Sequence, residues 1–485
     1  MTPKTSSSST KKPLKVVFIH LDLGIGGAEQ LVLQLAKAAA SDLGHSVELV
    51  TTRCDADHCF ASVAPGGALA DAVKRYGTWI PATIAGMGTS LCSTLRIAYL
   101  TWQVSRHHRD ADVCVVDVLP TSLPLLRLCL PSAATFFYCH FPDKLLLRQN
   151  DGSFLQLFYR FSLDSLEELT MSMADLVAVN SKFTRQTVMK TFPMVRPESI
   201  ADIDQALPVL YPALDTSSSP PSPSSSKQPM LPKTNQSPIV SLNRFERKKN
   251  ILLLLYAYQY LKEEHPEVEL PPLIVAGGYD TRNVENVEYR AELQKIVDER
   301  LSITVDFRQD ISDSERATLF QTALAVVYTP HMEHFGIVPL EAMYAGTPVL
   351  AVNSGGPMET IVNGKTGFLR PPSPQAFGEA LLEWIQDPTK ATAMGQAGKQ
   401  HVEATFGTKR LAREFDKLLQ QCIARKQTYR PRYALWTSVG AHVVDILYAM
   451  VLVILVTAFL QFVGVLHPNE GILEGLKRTY NTEEL

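Results

Sequence analysis

Short apolar runs recur along the chain, separated by stretches whose hydrophobic positions fall at helical spacing. The first run is Leu14-Lys15-Val16-Val17-Phe18-Ile19, ending at His20. A turn containing Gly24, Gly26 and Gly27 follows, then an apolar-periodic segment through Ala40 and a second strand-like run over 47–51. Strand, glycine turn, helix and strand in that order open a doubly wound parallel sheet, whose strands are buried on both faces and so read as near-continuous apolar runs. Further strands are expected at 113–118, 134–139 and 174–181, the last running into a helix over 182–190.

A Ser/Pro-rich stretch, 217–238, interrupts this alternation. It is too polar to pack and reads as a flexible insertion at a domain boundary. Beyond it the α/β pattern resumes. Strands are expected at 239–243, 272–276, 303–307, 323–327, 347–352 and 364–369, with helices at 251–262 and filling 375–424. The expected fold is therefore α/β, with two Rossmann-like doubly wound domains facing across a cleft. The linear boundaries are a disordered leader (1–13), a first domain (14–215), the insert (216–238), a second domain (239–424) and a tail (425–485).

The tail changes the picture. Residues 446–466 carry no charged side chain, and at ~1.5 Å per residue they reach ~32 Å, enough to cross a bilayer core. Arg425, Lys426, Arg430 and Arg432 precede them, a flank that reads as cytosolic. A membrane segment is expected, either spanning or lying in the interface, with the two domains on the cytosolic side. The N-terminal 1–12 lacks the apolar core of a secretory signal. A formal net charge of −3 gives no reason to expect nucleic acid. Seven scattered cysteines make a disulfide framework unexpected, and Cys54-Asp55-Ala56-Asp57-His58-Cys59 reads as a polar surface loop rather than a metal cluster.

The richest candidate chemistry lies in Tyr328-Thr329-Pro330-His331-Met332-Glu333-His334-Phe335-Gly336-Ile337-Val338-Pro339-Leu340-Glu341. A strand precedes it, and a short helix is expected over 338–345. Glu333 is then in the loop and Glu341 in the first turns. The backbone N–H groups of Gly336 and Ile337 offer a phosphate site at the helix N-terminus. Glu341 there either accepts hydrogen bonds from sugar hydroxyls or merely suits the helix dipole. Arg244 and Lys249 stand between a strand and a helix, where a fork of donors and a point charge suit a pyrophosphate. Arg247 and Lys248 beside them read as solvated. His140, in Tyr138-Cys139-His140-Phe141-Pro142-Asp143, falls at the carboxyl end of a strand, where ligands collect in open α/β sheets, although a structural role is open too. Gly26 and Gly27 fit either a tight turn or a close backbone approach to a ligand. The glycines do not spell a dinucleotide fingerprint, so an oxidoreductase is disfavoured. Two D-x-D triplets, Asp55-Ala56-Asp57 and Asp110-Ala111-Asp112, are short enough to arise by chance.

Glu333 and Glu341, set after a strand and followed by Ala345-Gly346-Thr347-Pro348-Val349, resemble the E-x7-E signature of retaining glycosyltransferases with the GT-B fold. The resemblance implies that Glu341 holds the nucleotide ribose and that Glu333 lies beside the transferred sugar. It places Gly26 and Gly27 near the donor pyrophosphate, and the spacing of Arg244 and Lys249 favours donor binding. The usual residue after that Lys is Gly, and here it is Asn250. The stretches around His140, Arg244–Lys249 and Glu333 are similar to the branch that adds α1,3- and α1,6-linked mannose to the dolichol-pyrophosphate core in N-glycan assembly, although Lys144 interrupts the Leu run usual after His-Phe-Pro-Asp. That branch implies GDP-mannose as donor, a dolichyl-pyrophosphate-linked Man-GlcNAc2 acceptor and α retention. It also implies the cytosolic face of the endoplasmic reticulum membrane, with other mannosyltransferases of the pathway as candidate partners. No catalytic metal or other cofactor is expected, because Arg244 and Lys249 supply the charge a metal would. Two other readings stay open: a UDP-N-acetylglucosamine transferase acting on phosphatidylinositol, and a non-catalytic membrane scaffold.

Overall fold

The computed structural model describes residues 12–83, 89–142, 165–195, 202–214 and 233–428. Most of the insert and the apolar stretch 446–466 lie outside these residues, as does most of the leader. Among the described residues no helix is long and apolar enough to cross a membrane.

Apolar runs become parallel strands in two sheets. β1 (Lys15–Ile19), β2 (Ser46–Thr51), β3 (Val73–Arg75), β4 (Val113–Val116), β5 (Ala134–Cys139) and β6 (Leu176–Val179) form the first, in the order β3-β2-β1-β4-β5-β6. β7 (Ile239–Leu242), β8 (Leu273–Gly277), β9 (Val305–Gln309), β10 (Ala325–Tyr328), β11 (Val349–Val352) and β12 (Gly367–Arg370) form the second, in the order β12-β11-β10-β7-β8-β9. Both sheets thus repeat the doubly wound order in which the first and fourth strands are neighbours. The crossovers before and after that pair go to opposite faces, leaving a crevice at the strands' carboxyl ends. In the first sheet this switch point is β1/β4; in the second it is β7/β10. Several elements escaped the reading of the chain, among them β3 and the helices Thr89–His107, Val284–Arg300 and Asp313–Thr322. β3 is a three-residue edge strand with no apolar run, and the helix Thr89–His107 mixes Thr, Ser, Arg and Trp among its apolar positions.

The chain divides into two compact units along lines that sequence order does not follow. Val179–Thr191 and Val209–Arg413 make one unit, while the described residues of Phe192–Pro208 and the helical residues 414–428 belong with the first sheet. The reason is packing. Phe415, on the last described helix (408–428), lies 6.2 Å from Phe18 of β1 and 5.8 Å from Phe136 of β5, ring to ring. A stretch read as the end of the second domain therefore helps to cover the first sheet. In the second unit, Leu254, Leu255, Tyr258 and Leu261 of the helix Ile251–Glu264 share a core with Phe377, Leu381 and Trp384 of the helix Pro374–Gln386.

Candidate active site

In the second unit the site is built at the β7/β10 switch point. β7 runs into Asn243-Arg244, and a single tight turn at Arg247–Lys249 ends in Asn250, which takes a left-handed backbone (φ 48°) just before the helix Ile251–Glu264. Glycine is the residue with least cost there and Asn the next, because its short polar side chain tolerates that region. The Asn found where the family pattern has Gly is thus a physical near-equivalent. Asn250→Gly should leave melting temperature close to wild type, whereas Asn250→Val should cost about 1–2 kcal/mol, read by thermal denaturation.

The turn aims Lys249 at the loop that follows β10. Its Nζ lies 2.6 Å from Glu333 Oε2. Burial works against ionisation of Glu333, but Lys249 outweighs it and holds the carboxyl below its usual range. The Tyr328 hydroxyl, at the end of β10, also hydrogen-bonds Glu333; burial first, then Glu333 and Glu341, push its own ionisation far up, with Arg244 opposing. Tyr328 thus stays a neutral donor among Glu333, Glu341 and Arg244. Arg244 itself is 61% exposed, 3.0 Å from Glu246 and able to swing to a ligand. Arg247 is paired with Glu292 and lies over the Tyr289 ring, and Lys248 is exposed beside Glu246.

The Glu333 loop is held from beneath by Ser354-Gly355-Gly356. Ser354 Oγ accepts from the Met332 N–H, and the Gly356 N–H donates to the Glu333 carbonyl. Gly355 has φ 66°, and a Cβ there would stand 2.3 Å from the Glu333 carbonyl oxygen. Only glycine lets these two backbones meet. Gly336, with φ 81°, then turns the chain into the helix Ile337–Tyr344, and no side chain caps its N-terminus.

Glu341 lies in that helix. Its Oε1 is 2.6 Å from Nη2 of Arg316, a residue the reading of the chain did not single out. Its Oε2 is buried with no hydrogen-bond partner among the described residues. Burial raises its carboxyl to about 7, Arg316 pulling it down and Asp313 pushing it up. A buried acceptor left without a donor is costly, and any donor brought to it from outside the fold would remove that cost.

In the first unit a second group forms at the β1/β4 switch point. His20 follows β1, Asp117 follows β4 and His140 follows β5. His20 Nδ1 lies 2.8 Å from Asp117 Oδ1, and His140 Nε2 lies 3.1 Å from Asp117 Oδ2. Glu29, in the first turn of the helix Gly27–Lys37, approaches His20 Nε2 at 3.7 Å. Gly26 is extended (φ −165°), so it is not needed for a left-handed turn; a Cβ there would instead meet Glu29 Oε2 at 2.3 Å. Gly27 faces open space. His20, Asp117 and Glu29 were not picked out beforehand, although a position directly after the first or fourth strand is the available signal. Asp110 and Asp112 both bind Lys15, through its side chain and backbone N–H, and so staple β1. Among the described residues no group of three or more His, Cys, Asp or Glu could hold a metal.

Residues 225–401 match the family model described as "Glycosyl transferases group 1", and residues 25–203 match "Glycosyltransferase Family 4". The chain is 40% identical to the human Alpha-1,3/1,6-mannosyltransferase ALG2 over 421 residues, covering 85% of this chain and 97% of that one. It is 38% identical to the Schizosaccharomyces pombe Alpha-1,3/1,6-mannosyltransferase alg2 over 434 residues, 84% of this chain and 81% of the other. The chain belongs to the alpha-1,3/1,6-mannosyltransferase family. As a member of that family it is a hexosyltransferase, and the partly buried E-x7-E pair sits in its group 1 domain. Its fold is GT-B. Sucrose-phosphate synthase from Thermosynechococcus elongatus aligns with a TM-score of 0.62 at 20% identity, covering 85% of this chain and 99% of that one. The catalytic domain of Starch Synthase IV from Arabidopsis thaliana gives 0.63 at 13% identity, covering 85% of this chain and all of the other (100%).

Proposed function

We propose that this mannosyltransferase moves mannose from GDP-mannose to a dolichyl-pyrophosphate-linked Man-GlcNAc2 acceptor. It forms α1,3 and α1,6 linkages with retention, at the cytosolic face of the endoplasmic reticulum membrane, as a step of N-glycan precursor assembly. The observation that carries this reading is similarity to alpha-1,3/1,6-mannosyltransferases over 85% of the chain, together with the Lys249–Glu333 pair and the unsatisfied Glu341 Oε2. Glu341 Oε2 accepts a ribose hydroxyl. Lys249, Arg244 and the N–H groups at Gly336-Ile337 stabilise the negative charge that grows on the leaving diphosphate. Glu333, neutralised by Lys249, orients the mannose rather than attacking it. His140 lines the sugar pocket. No metal is required, because Lys249 and Arg244 already supply positive charge at the diphosphate. Residues 446–466 hold the enzyme at the membrane that carries its acceptor, where other mannosyltransferases of the pathway are candidate partners.

The test uses full-length protein in liposomes with a lipid-pyrophosphate chitobiose bearing one β-mannose. GDP-mannose or UDP-N-acetylglucosamine is added, with and without chelator, and products are weighed by mass spectrometry. Two hexoses from GDP-mannose in chelator are expected. A single hexose would assign the second linkage elsewhere, and no transfer by folded protein would overturn the reading.

A further inference from the structure

Asp117 is 5% exposed and carries two imidazole rings on one carboxylate. A carboxylate only accepts, so both nitrogens that face it, His20 Nδ1 and His140 Nε2, must carry hydrogen. His20 has a carboxylate at each nitrogen, Asp117 on one side and Glu29 on the other. Burial opposes charge on that ring, yet the two carboxylates prevail and raise it to about 10, so it is an imidazolium at neutral pH. Burial likewise opposes ionisation of Asp117, and His20 with His140 overturns this, leaving the carboxyl at about 2. Charged His20 thus keeps a fully enclosed Asp117 ionised, and Asp117 in turn faces His140, which remains 26% exposed.

The three side chains follow β1, β4 and β5, strands that are hydrogen-bonded neighbours in that order. Their carboxyl ends are therefore fixed relative to one another by the ladder itself. On its other flank the His140 ring stands edge-on to Tyr138 at 5.0 Å between centroids. The carboxylate contact and the ring contact together fix the plane of the His140 ring.

We propose that Asp117, hydrogen-bonded to both rings at the ends of adjacent strands, is a positioning residue that holds His140 as its Nε2–H tautomer and fixes the plane in which that ring meets the transferred sugar. The proposal rests on the reading that His140 lines the sugar pocket. Asp117 touches no substrate; it acts through the ring.

Asp117→Asn keeps the shape but can present either an oxygen or an NH2 group to His140, so the tautomer is no longer set. In the full-length enzyme with GDP-mannose and the lipid acceptor, kcat should fall about 10–100-fold, as for outer-shell partners of a ligating histidine. The KM for GDP-mannose should stay within about twofold, because Arg244, Lys249 and Glu341, the side chains proposed to bind the nucleotide diphosphate, are untouched by the substitution. Nitrogen-15 histidine spectra, with the signal assigned through His140→Ala, should show His140 as Nε2–H in the wild type and a mixture in Asp117→Asn. A wild-type His140 protonated at Nδ1 alone would overturn the proposal even if Asp117→Asn failed to fold. So would folded Asp117→Asn with wild-type kcat while His140→Ala is impaired. Full turnover by His140→Ala would instead remove His140 from the sugar pocket, and the role of Asp117 in turnover with it.

Discussion

Lys249→Ala should lower kcat/KM for mannosyl transfer about a thousandfold and destabilise the protein at the same time. Two losses coincide in one side chain. The ammonium is the partner of a mostly buried carboxylate, at 2.6 Å from Glu333 Oε2, and in the proposed function the same charge serves the leaving diphosphate. Removing a preorganised donor at a developing anion costs about 10²–10³ in rate, and a negative Glu333 left facing the diphosphate adds repulsion. The orphaned carboxylate should cost about 1–3 kcal/mol of stability. A second substitution separates the effects. Lys249→Ala/Glu333→Gln should recover most of the lost melting temperature, since the buried charge is gone, but none of the turnover. Recovery of activity in the double variant would show that Lys249 acts only by neutralising Glu333.

Glu341→Gln should do the opposite to stability. Its carboxyl is lifted by burial from an ordinary 4.5 to about 7 in the folded chain. Between those values the folded protein binds more protons than the unfolded one. Wild-type stability therefore falls as pH rises from about 4.5 to about 7, and is flat outside that window as far as this group is concerned. The full swing is about 3 kcal/mol. The glutamine has no charge to bury, and Arg316, 40% exposed, can turn to water. The variant should melt higher than wild type at pH 8 and about equal at pH 5, while its kcat/KM falls about a hundredfold through loss of charge-assisted hydrogen bonds to the donor ribose. Equal pH dependence in both proteins would mean that Glu341 is ionised in the fold. Unchanged kcat/KM would remove it from the ribose site.

These expectations show which parts of the site could be read from the chain. Glu333, Glu341, Arg244 and Lys249 could be singled out as candidates because each lies in a local motif where a strand gives way to a helix. Asn250 was legible as a departure from pattern, but its meaning was not: only the left-handed backbone shows why Asn serves. Arg316 was invisible, since it sits mid-helix in a polar stretch and meets Glu341 across twenty-five positions of sequence. Asp117 was invisible for the same reason: its partners are ninety-seven residues before it and twenty-three after.

Local sequence was enough to set the alternation of buried parallel strands and helices, the repeated doubly wound architecture and the residue types of the proposed donor site. Those features depend on periodicity and on turn chemistry, which act within a few residues. The tertiary structure alone decided that the helix at 408–428 covers the first sheet, and that Lys249 neutralises Glu333. It alone paired Glu341 with Arg316 and gathered His20 and His140 around Asp117. Each of these is set by which strands lie side by side at a switch point and by what the surrounding burial does to a charge. Neither is a property of any local stretch of chain.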